Sequence, residues 1–157
     1  MIDALYSLKI LKLAAHLPRT GRLAAPDGSA ERVAKLCGSR ARVDVKLEGD
    51  KVVDYAQEVE ACALGQATAA IVGEQVIGAE VAEIEAARDQ MRAMLKLGGP
   101  VPSGRFAGLS DLEVVRDYPA RHASALVALE AAAEAARQAL DRQALDRTTR
   151  TSRADAA

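Results

Sequence analysis

The stretch RVDVKLEGDKVVDYAQEV, residues 42–59, decides the fold because it has the pattern of a β-hairpin. Apolar and polar residues alternate over 42–48, and this period of two predicts a half-buried strand. Gly49 and Asp50 favour a tight turn, since both residue types tolerate the positive φ that such a turn needs. Residues 52–59 are the returning strand. The sequence therefore predicts an antiparallel pair of strands around which the rest of the chain is built.

The only two cysteines of the chain, Cys37 and Cys62, stand on either side of this hairpin. Folding the hairpin can therefore bring the two thiols together. Small residues at helical spacing follow Cys62, so its thiol lies near a helix N-terminus, where the partial positive charge favours the thiolate. The thiolate is the form that binds metal and accepts sulfur. The pair predicts a metal or sulfur site.

Length and composition limit the function classes. A chain of 157 residues, half of them hydrophobic, suffices for one core and is too short for two full domains. The 21 basic residues nearly balance the 22 acidic ones, and tryptophan is absent, so we expect no nucleic-acid partner. The sequence lacks a signal-peptide pattern and an apolar run of the roughly 20 residues that a bilayer requires. We expect no membrane association and a cytoplasmic location.

Helical patterns surround the hairpin. The first covers residues 4–15, and its expected apolar face consists of Leu5, Leu8, Leu11 and Leu13. The other predicted elements are an extended segment over 31–36 and helices over 62–78, 81–97, 109–115 and 119–140. The predicted fold class is α+β, with a small antiparallel three-stranded sheet packed on several helices.

The last of these helices is long and rich in alanine. Leu126, Leu129 and Ala133 recur in it at helical spacing and are expected to face the core. From residue 141 onwards the sequence is polar, with alternating arginine and aspartate. We expect one domain over residues 1–140 that ends in this long C-terminal helix, followed by a disordered polar tail over 141–157.

Four short motifs occur in an order and spacing that resemble a known family. Residues 16–21, HLPRTG, resemble a His-Pro-Arg-Asn-x-Gly loop, and residues 37–39, CGS, stand where that family has Cys-Gly-Asp. Residues 60–63, EACA, match its Gly-Cys segment, and residues 118–124, YPARHAS, resemble Phe-Pro-Ala-Arg-x-x-Cys. The family is that of the NifU/IscU-like iron–sulfur cluster assembly scaffolds. The loop over 97–112 is similar to that of its SufU-like branch.

The resemblance implies a fold of the SufE/NifU-like kind and a protein that is not an enzyme. Such a scaffold binds iron or a labile iron–sulfur cluster, receives sulfur from a cysteine desulfurase and passes the cluster to apo acceptor proteins. It implies a monomer or a weak homodimer. From the residues themselves, a hydrolase or cysteine-nucleophile enzyme has little support, because no Ser-His-Asp or Cys-His-Asn context and no phosphate-binding glycine loop is present.

The chain departs from the family at two positions of the site. The family surrounds its metal with three cysteines and one aspartate, but here Ser39 stands at the aspartate position and Ser124 at the third cysteine position. Cys37 and Cys62 remain as thiolate ligands, and His122 is the candidate for a third ligand. A Cys₂His set suits iron, a labile [2Fe–2S] cluster or zinc.

One alternative stays open at this point. In this alternative, the chain is a diverged family member that assembles no cluster. It either binds zinc and accepts sulfur or acts as an adaptor without metal. Metal content and visible absorption after anaerobic reconstitution separate these hypotheses.

Overall fold

The computed structural model describes residues 5–156, and the side chains of 5–152. Its centre is a three-stranded antiparallel sheet in the order β1 (Gly28–Ala34), β2 (Ser39–Glu48) and β3 (Lys51–Glu60). The two longer strands form the predicted hairpin, whose register shifts once, between residues 46 and 47. The sheet and the helices around it confirm the predicted α+β class.

Within the described residues, four α-helices and a stretch of 3-10 turns accompany the sheet. The helices are α1 (Leu8–Ala15), α2 (Ala63–Gln75), α3 (Val81–Leu97) and α4 (His122–Ala156). The 3-10 turns cover Gly104–Asp117 and Pro119–Arg121, where the sequence predicted a single short helix and the start of the last one. No helix in the described part of the chain has the length and apolarity needed to cross a membrane.

The core lies between the sheet and α4, which packs on β1 and β2. Leu126, Leu129 and Ala133, the residues expected to face the core, are all buried. Small side chains let the helix approach the sheet closely. At Gly28, a side chain on β1 would collide with the carbonyl oxygen of Ala135. The alanine-rich sequence of α4 is thus a packing requirement.

The first helix differs from its prediction. It begins at Leu8, after Ser7, whose side chain accepts a hydrogen bond from the backbone N–H of Ile10 at 3.3 Å. Ile10 is the buried residue of this helix, whereas Leu8 and Leu11 are 68% and 46% exposed. Of the other two predicted leucines, Leu5 is buried and Leu13 packs against the core, so the leucine spacing identified half of the apolar face. Residue 4, where the predicted helix began, lies outside the described residues.

The C-terminal segment also differs from its prediction. The stretch from residue 141, expected to be disordered, continues α4 as helix up to Ala156. Over residues 141–152 every side chain except that of Gln143 is exposed, and the half-buried Gln143 donates a hydrogen bond to the backbone oxygen of Leu47 at 3.1 Å. Alternating arginine and aspartate are compatible with an exposed helix, so polarity alone did not indicate disorder.

A buried carboxylate fixes the loop between α1 and β1. Asp44 on β2 is only 1% exposed. It accepts hydrogen bonds from Ser29 Oγ at 2.6 Å, Arg22 Nε at 2.7 Å and the backbone N–H of Leu23 at 3.0 Å. Burial alone raises the pKa of this carboxyl, but the hydrogen bonds and the guanidinium bring it below its ordinary value.

Candidate functional site

Four side chains from three segments of the sequence meet at one end of the sheet. Cys37 lies in the turn between β1 and β2, and Ser39 is the first residue of β2. Cys62 is the N-cap residue of α2. Ser124 lies in the first turn of α4. These are the positions at which the resemblance predicts the family's three cysteines and its aspartate.

A continuous chain of hydrogen bonds joins the two thiols. The Cys37 thiol donates to Ser39 Oγ at 3.2 Å, and Ser39 Oγ lies 2.9 Å from Ser124 Oγ. Ser124 Oγ lies 3.0 Å from Cys62 Sγ. The two serines are buried, at 3% and 0% exposure, so both hydroxyls depend on these partners. The serines therefore occupy the ligand positions but act through hydrogen bonds.

Local backbone geometry brings Cys37 to the edge of this cluster. The N–H groups of Cys37 and Gly38 both donate to the backbone oxygen of Ala34, at 3.3 and 2.9 Å, which closes a tight turn. Gly38 has a φ of 71°, a left-handed conformation that glycine adopts without strain. Just beyond the turn, Arg40 and Glu60 form a cross-strand ion pair at 2.9 Å between the strand ends that carry the site.

Close packing positions the other half of the site. A Cβ atom added to Gly65 on α2 would lie 2.7 Å from the Cβ atom of Ala61 and 2.8 Å from the backbone oxygen of Ser124. Both distances are too short for a real contact. Glycine at this position therefore lets the first turns of α2 and α4 touch. This contact brings the Ser124 hydroxyl to the Cys62 thiol.

The two thiols differ in accessibility. Cys37 is exposed, whereas Cys62 is partly buried and packs against the core. The pKa of the Cys37 thiol lies below its ordinary value, chiefly because the side chain and the backbone N–H of Ser39 hydrogen-bond to it, with a smaller contribution from the Ser124 hydroxyl. Cys37 is therefore the more accessible nucleophile of the pair.

The structure does not bring His122 to the thiols. The histidine is buried at the start of α4, and its Nε2 donates to the backbone oxygens of Val115 and Arg116, at 3.1 and 3.0 Å. Among the described residues, no group of three His, Cys, Asp or Glu side chains is arranged to hold a metal ion. The predicted Cys₂His set is thus not assembled here, because the ring is used to support the turns before α4.

Sequence reasoning missed the apolar rim of the site. Leu36, next to Cys37, is 88% exposed, and Val33 on the same hairpin is 52% exposed. The signal was present in the sequence, since a leucine in a turn has no strand partner to cover it. Sequence reasoning also missed the contact between Ser39 and Ser124, which lie far apart along the chain.

A comparison with known protein families identifies the class of protein. Residues 5–125 match the family model of the NifU-like N terminal domain. The chain belongs to this family, which confirms the predicted resemblance to the iron–sulfur cluster assembly scaffolds. No curated protein matches the chain significantly.

Solved structures give the same result. The chain is similar to a nitrogen-fixing NifU-like protein (N-terminal) from Brucella abortus, with 48% sequence identity and a TM-score of 0.86. That match covers 89% of this chain and 97% of the other. An iron–sulfur cluster assembly scaffold protein for the SUF system from Fervidobacterium islandicum has the same fold, with 23% identity, a TM-score of 0.78, and coverage of 85% and 98%.

Proposed function

We propose that this protein is a non-enzymatic scaffold that carries iron or a labile [2Fe–2S] cluster on Cys37 and Cys62. Sulfur comes from a cysteine desulfurase, and the cargo goes to apo acceptor proteins. The observation that carries the proposal is the hydrogen-bonded chain that joins two thiols from different elements through the buried hydroxyls of Ser39 and Ser124. Such a cluster of soft donors suits iron–sulfur chemistry.

The donor set accounts for a labile cargo. A [2Fe–2S] cluster is ordinarily held by four cysteine thiolates, and this chain supplies two. Ser39 and Ser124 are neutral hydroxyls engaged with each other at 2.9 Å, so they are weak competitors for iron. The remaining positions are left to exogenous thiols or to a second chain in a weak homodimer. We therefore expect weaker retention than in a scaffold with a complete set.

Sulfur delivery is proposed to begin at Cys37. Its thiol is exposed, and hydrogen bonds from Ser39 favour the thiolate that attacks a desulfurase persulfide. The exposed Leu36, which precedes Cys37 in the chain, and the exposed Val33 on β1 supply apolar contacts for that partner. We propose a cytoplasmic protein that uses neither nucleic acid nor membrane. We do not propose zinc as the cargo, because the nitrogen ligand that it would require, His122, is hydrogen-bonded to two backbone oxygens.

Anaerobic reconstitution with iron and sulfide tests the proposal. The wild-type chain should develop the visible absorption of a sulfide-bridged iron cluster and bind iron and sulfide in equal amounts. Cys37→Ala and Cys62→Ala should each abolish it. Ser103→Ala is the matched control, because Ser103 is exposed and its side chain makes no cap hydrogen bond.

A gain-of-ligand variant sharpens the test. Ser124→Cys offers a third sulfur ligand at a position already 3.0 Å from the Cys62 thiol. The cluster of this variant should resist a chelator longer than the wild-type cluster. Absence of a cluster in both the wild type and Ser124→Cys, with folded protein in each, would refute the scaffold proposal.

A further inference from the structure

Cys37 and Cys62 are linked through the hydroxyls of Ser39 and Ser124, and the chain has no third cysteine. We propose that this pair releases sulfide from a persulfide on Cys37, by closing into a Cys37–Cys62 disulfide. The inference rests on the proposed function, in which Cys37 accepts sulfur. It adds an activity to that function: the chain itself converts the transferred sulfur into the sulfide that a cluster contains.

Proximity is the first argument. The Ser124 hydroxyl lies 3.0 Å from the Cys62 thiol and 2.9 Å from the Ser39 hydroxyl, which accepts a hydrogen bond from the Cys37 thiol at 3.2 Å. A chain of two hydroxyl groups therefore links the two sulfurs. A persulfide adds one sulfur atom to the Cys37 side chain. This enlarges the group that faces Cys62.

The backbone around Cys37 allows the remaining approach. Cys37 lies in a turn on the surface, between strands that are paired on both sides of it. The turn is closed by two N–H groups that share a single acceptor, the backbone oxygen of Ala34. A disulfide requires an S–S distance of about 2.05 Å, so the Cys37 side chain must move past the hydroxyls of Ser39 and Ser124 that link it to Cys62. Cys62, at the N-cap of α2 and packed on the core, is the fixed partner.

The reaction balances without an added reductant. The Cys62 thiolate attacks Sγ of the Cys37 persulfide, a new S–S bond forms, and the bond from Sγ to the terminal sulfur breaks. The terminal sulfur leaves as hydrosulfide, and with the proton lost from the Cys62 thiol it becomes hydrogen sulfide. In the overall reaction, the two thiols are oxidised to a disulfide and the transferred sulfane sulfur is reduced to sulfide, which is a transfer of two electrons. An external dithiol then reduces the disulfide for another cycle.

The division of roles follows from exposure. The exposed Cys37 meets a sulfur donor, and the partly buried Cys62 is shielded from it. Ser39 and Ser124, at the positions of the family's aspartate and third cysteine, offer no carboxylate and no further thiolate to the persulfide. Cys62 is therefore the sulfur nucleophile within the chain that can attack the sulfur held on Cys37.

Loading the metal-free, reduced full-length chain with glutathione persulfide tests the inference. After rapid removal of small molecules, the wild type should release sulfide in an amount equal to the chain. Its mass should fall to that of the reduced chain less two hydrogen atoms. The rate should not depend on protein concentration, since both thiols belong to one chain. The double variant Cys37→Ala/Cys62→Ala measures the background.

The variant Cys62→Ala separates this inference from the proposed function. It should keep one added sulfur atom on Cys37, with sulfide release reduced to background. A wild type that also keeps the added sulfur and releases no sulfide would overturn the inference while leaving sulfur acceptance intact. If neither chain takes up sulfur, acceptance by Cys37 fails and the inference fails with it. A release rate that rises with protein concentration, with covalent dimers as product, would also overturn it.

Discussion

The Ser124 hydroxyl is the link between the two thiols, and Ser124→Ala measures what that link contributes to stability. The hydroxyl is fully buried and makes two hydrogen bonds, at 2.9 Å to Ser39 Oγ and 3.0 Å to Cys62 Sγ. A typical intramolecular hydrogen bond contributes about 0.5–1.5 kcal/mol. We therefore expect the free energy of unfolding to fall by about 2 kcal/mol. For a chain of this size, the melting temperature should fall by roughly 4–8 °C.

Urea unfolding, followed by far-ultraviolet circular dichroism, measures this loss directly. The slope of the free energy against urea should be the same in wild type and variant, since the change leaves the exposed surface of the unfolded chain nearly unaltered. Ser103→Ala is the control, because that exposed serine makes no cap hydrogen bond and should stay within about 0.5 kcal/mol of wild type. A loss in Ser124→Ala no larger than in this control would refute the bridging role of the hydroxyl.

Three further predictions concern single side chains. Ser39→Ala should raise the pKa of the Cys37 thiol, because Ser39 supplies the main hydrogen bond that lowers it; the pH profile of alkylation by iodoacetamide should shift to higher pH, and an unchanged profile would contradict the assignment. The folded-state pKa of Asp44 lies below the ordinary value of an unfolded chain, so its stabilisation is fully present above that unfolded-state pKa and is lost as pH falls through the folded-state pKa. Asp44→Asn should be less stable at neutral pH and lose less stability on acidification, which urea titrations at several pH values will measure. His122→Ala should unfold more easily by about 1 kcal/mol, since two backbone oxygens lose their donor, yet bind as much iron per folded chain as wild type. A loss of iron as complete as in Cys37→Ala would instead make the histidine a ligand.

The sequence predicted the parts of the fold whose signals are local. The alternation over 42–48 and the turn at Gly49 identify the hairpin because strand period and turn chemistry act within a few residues. The first helix was harder. Its leucine spacing was compatible with more than one apolar face, and the buried Ile10 is selected by packing on the core.

The site was predicted as a set of positions and not as a set of contacts. The resemblance indicated that Cys37, Ser39, Cys62 and Ser124 stand together, and the structure brings the four side chains into one hydrogen-bonded chain. The resemblance did not predict the orientation of the His122 ring. That orientation depends on backbone oxygens made available by the 3-10 turns before α4, a feature without a strong local signal.

The two serines change the chemistry of the site more than its shape. A carboxylate at Ser39 and a thiolate at Ser124 would add two negative charges and two metal ligands, whereas the hydroxyls are neutral and satisfy each other at 2.9 Å. Burying the two serines without a bound metal therefore costs little free energy, because neither hydroxyl carries a charge that a cation would have to neutralise. The thiols are correspondingly freer to react with sulfur. A site of this kind binds its cargo less tightly but leaves the two cysteines more reactive. Measurements of thiol reactivity are therefore as informative about its function as measurements of metal content.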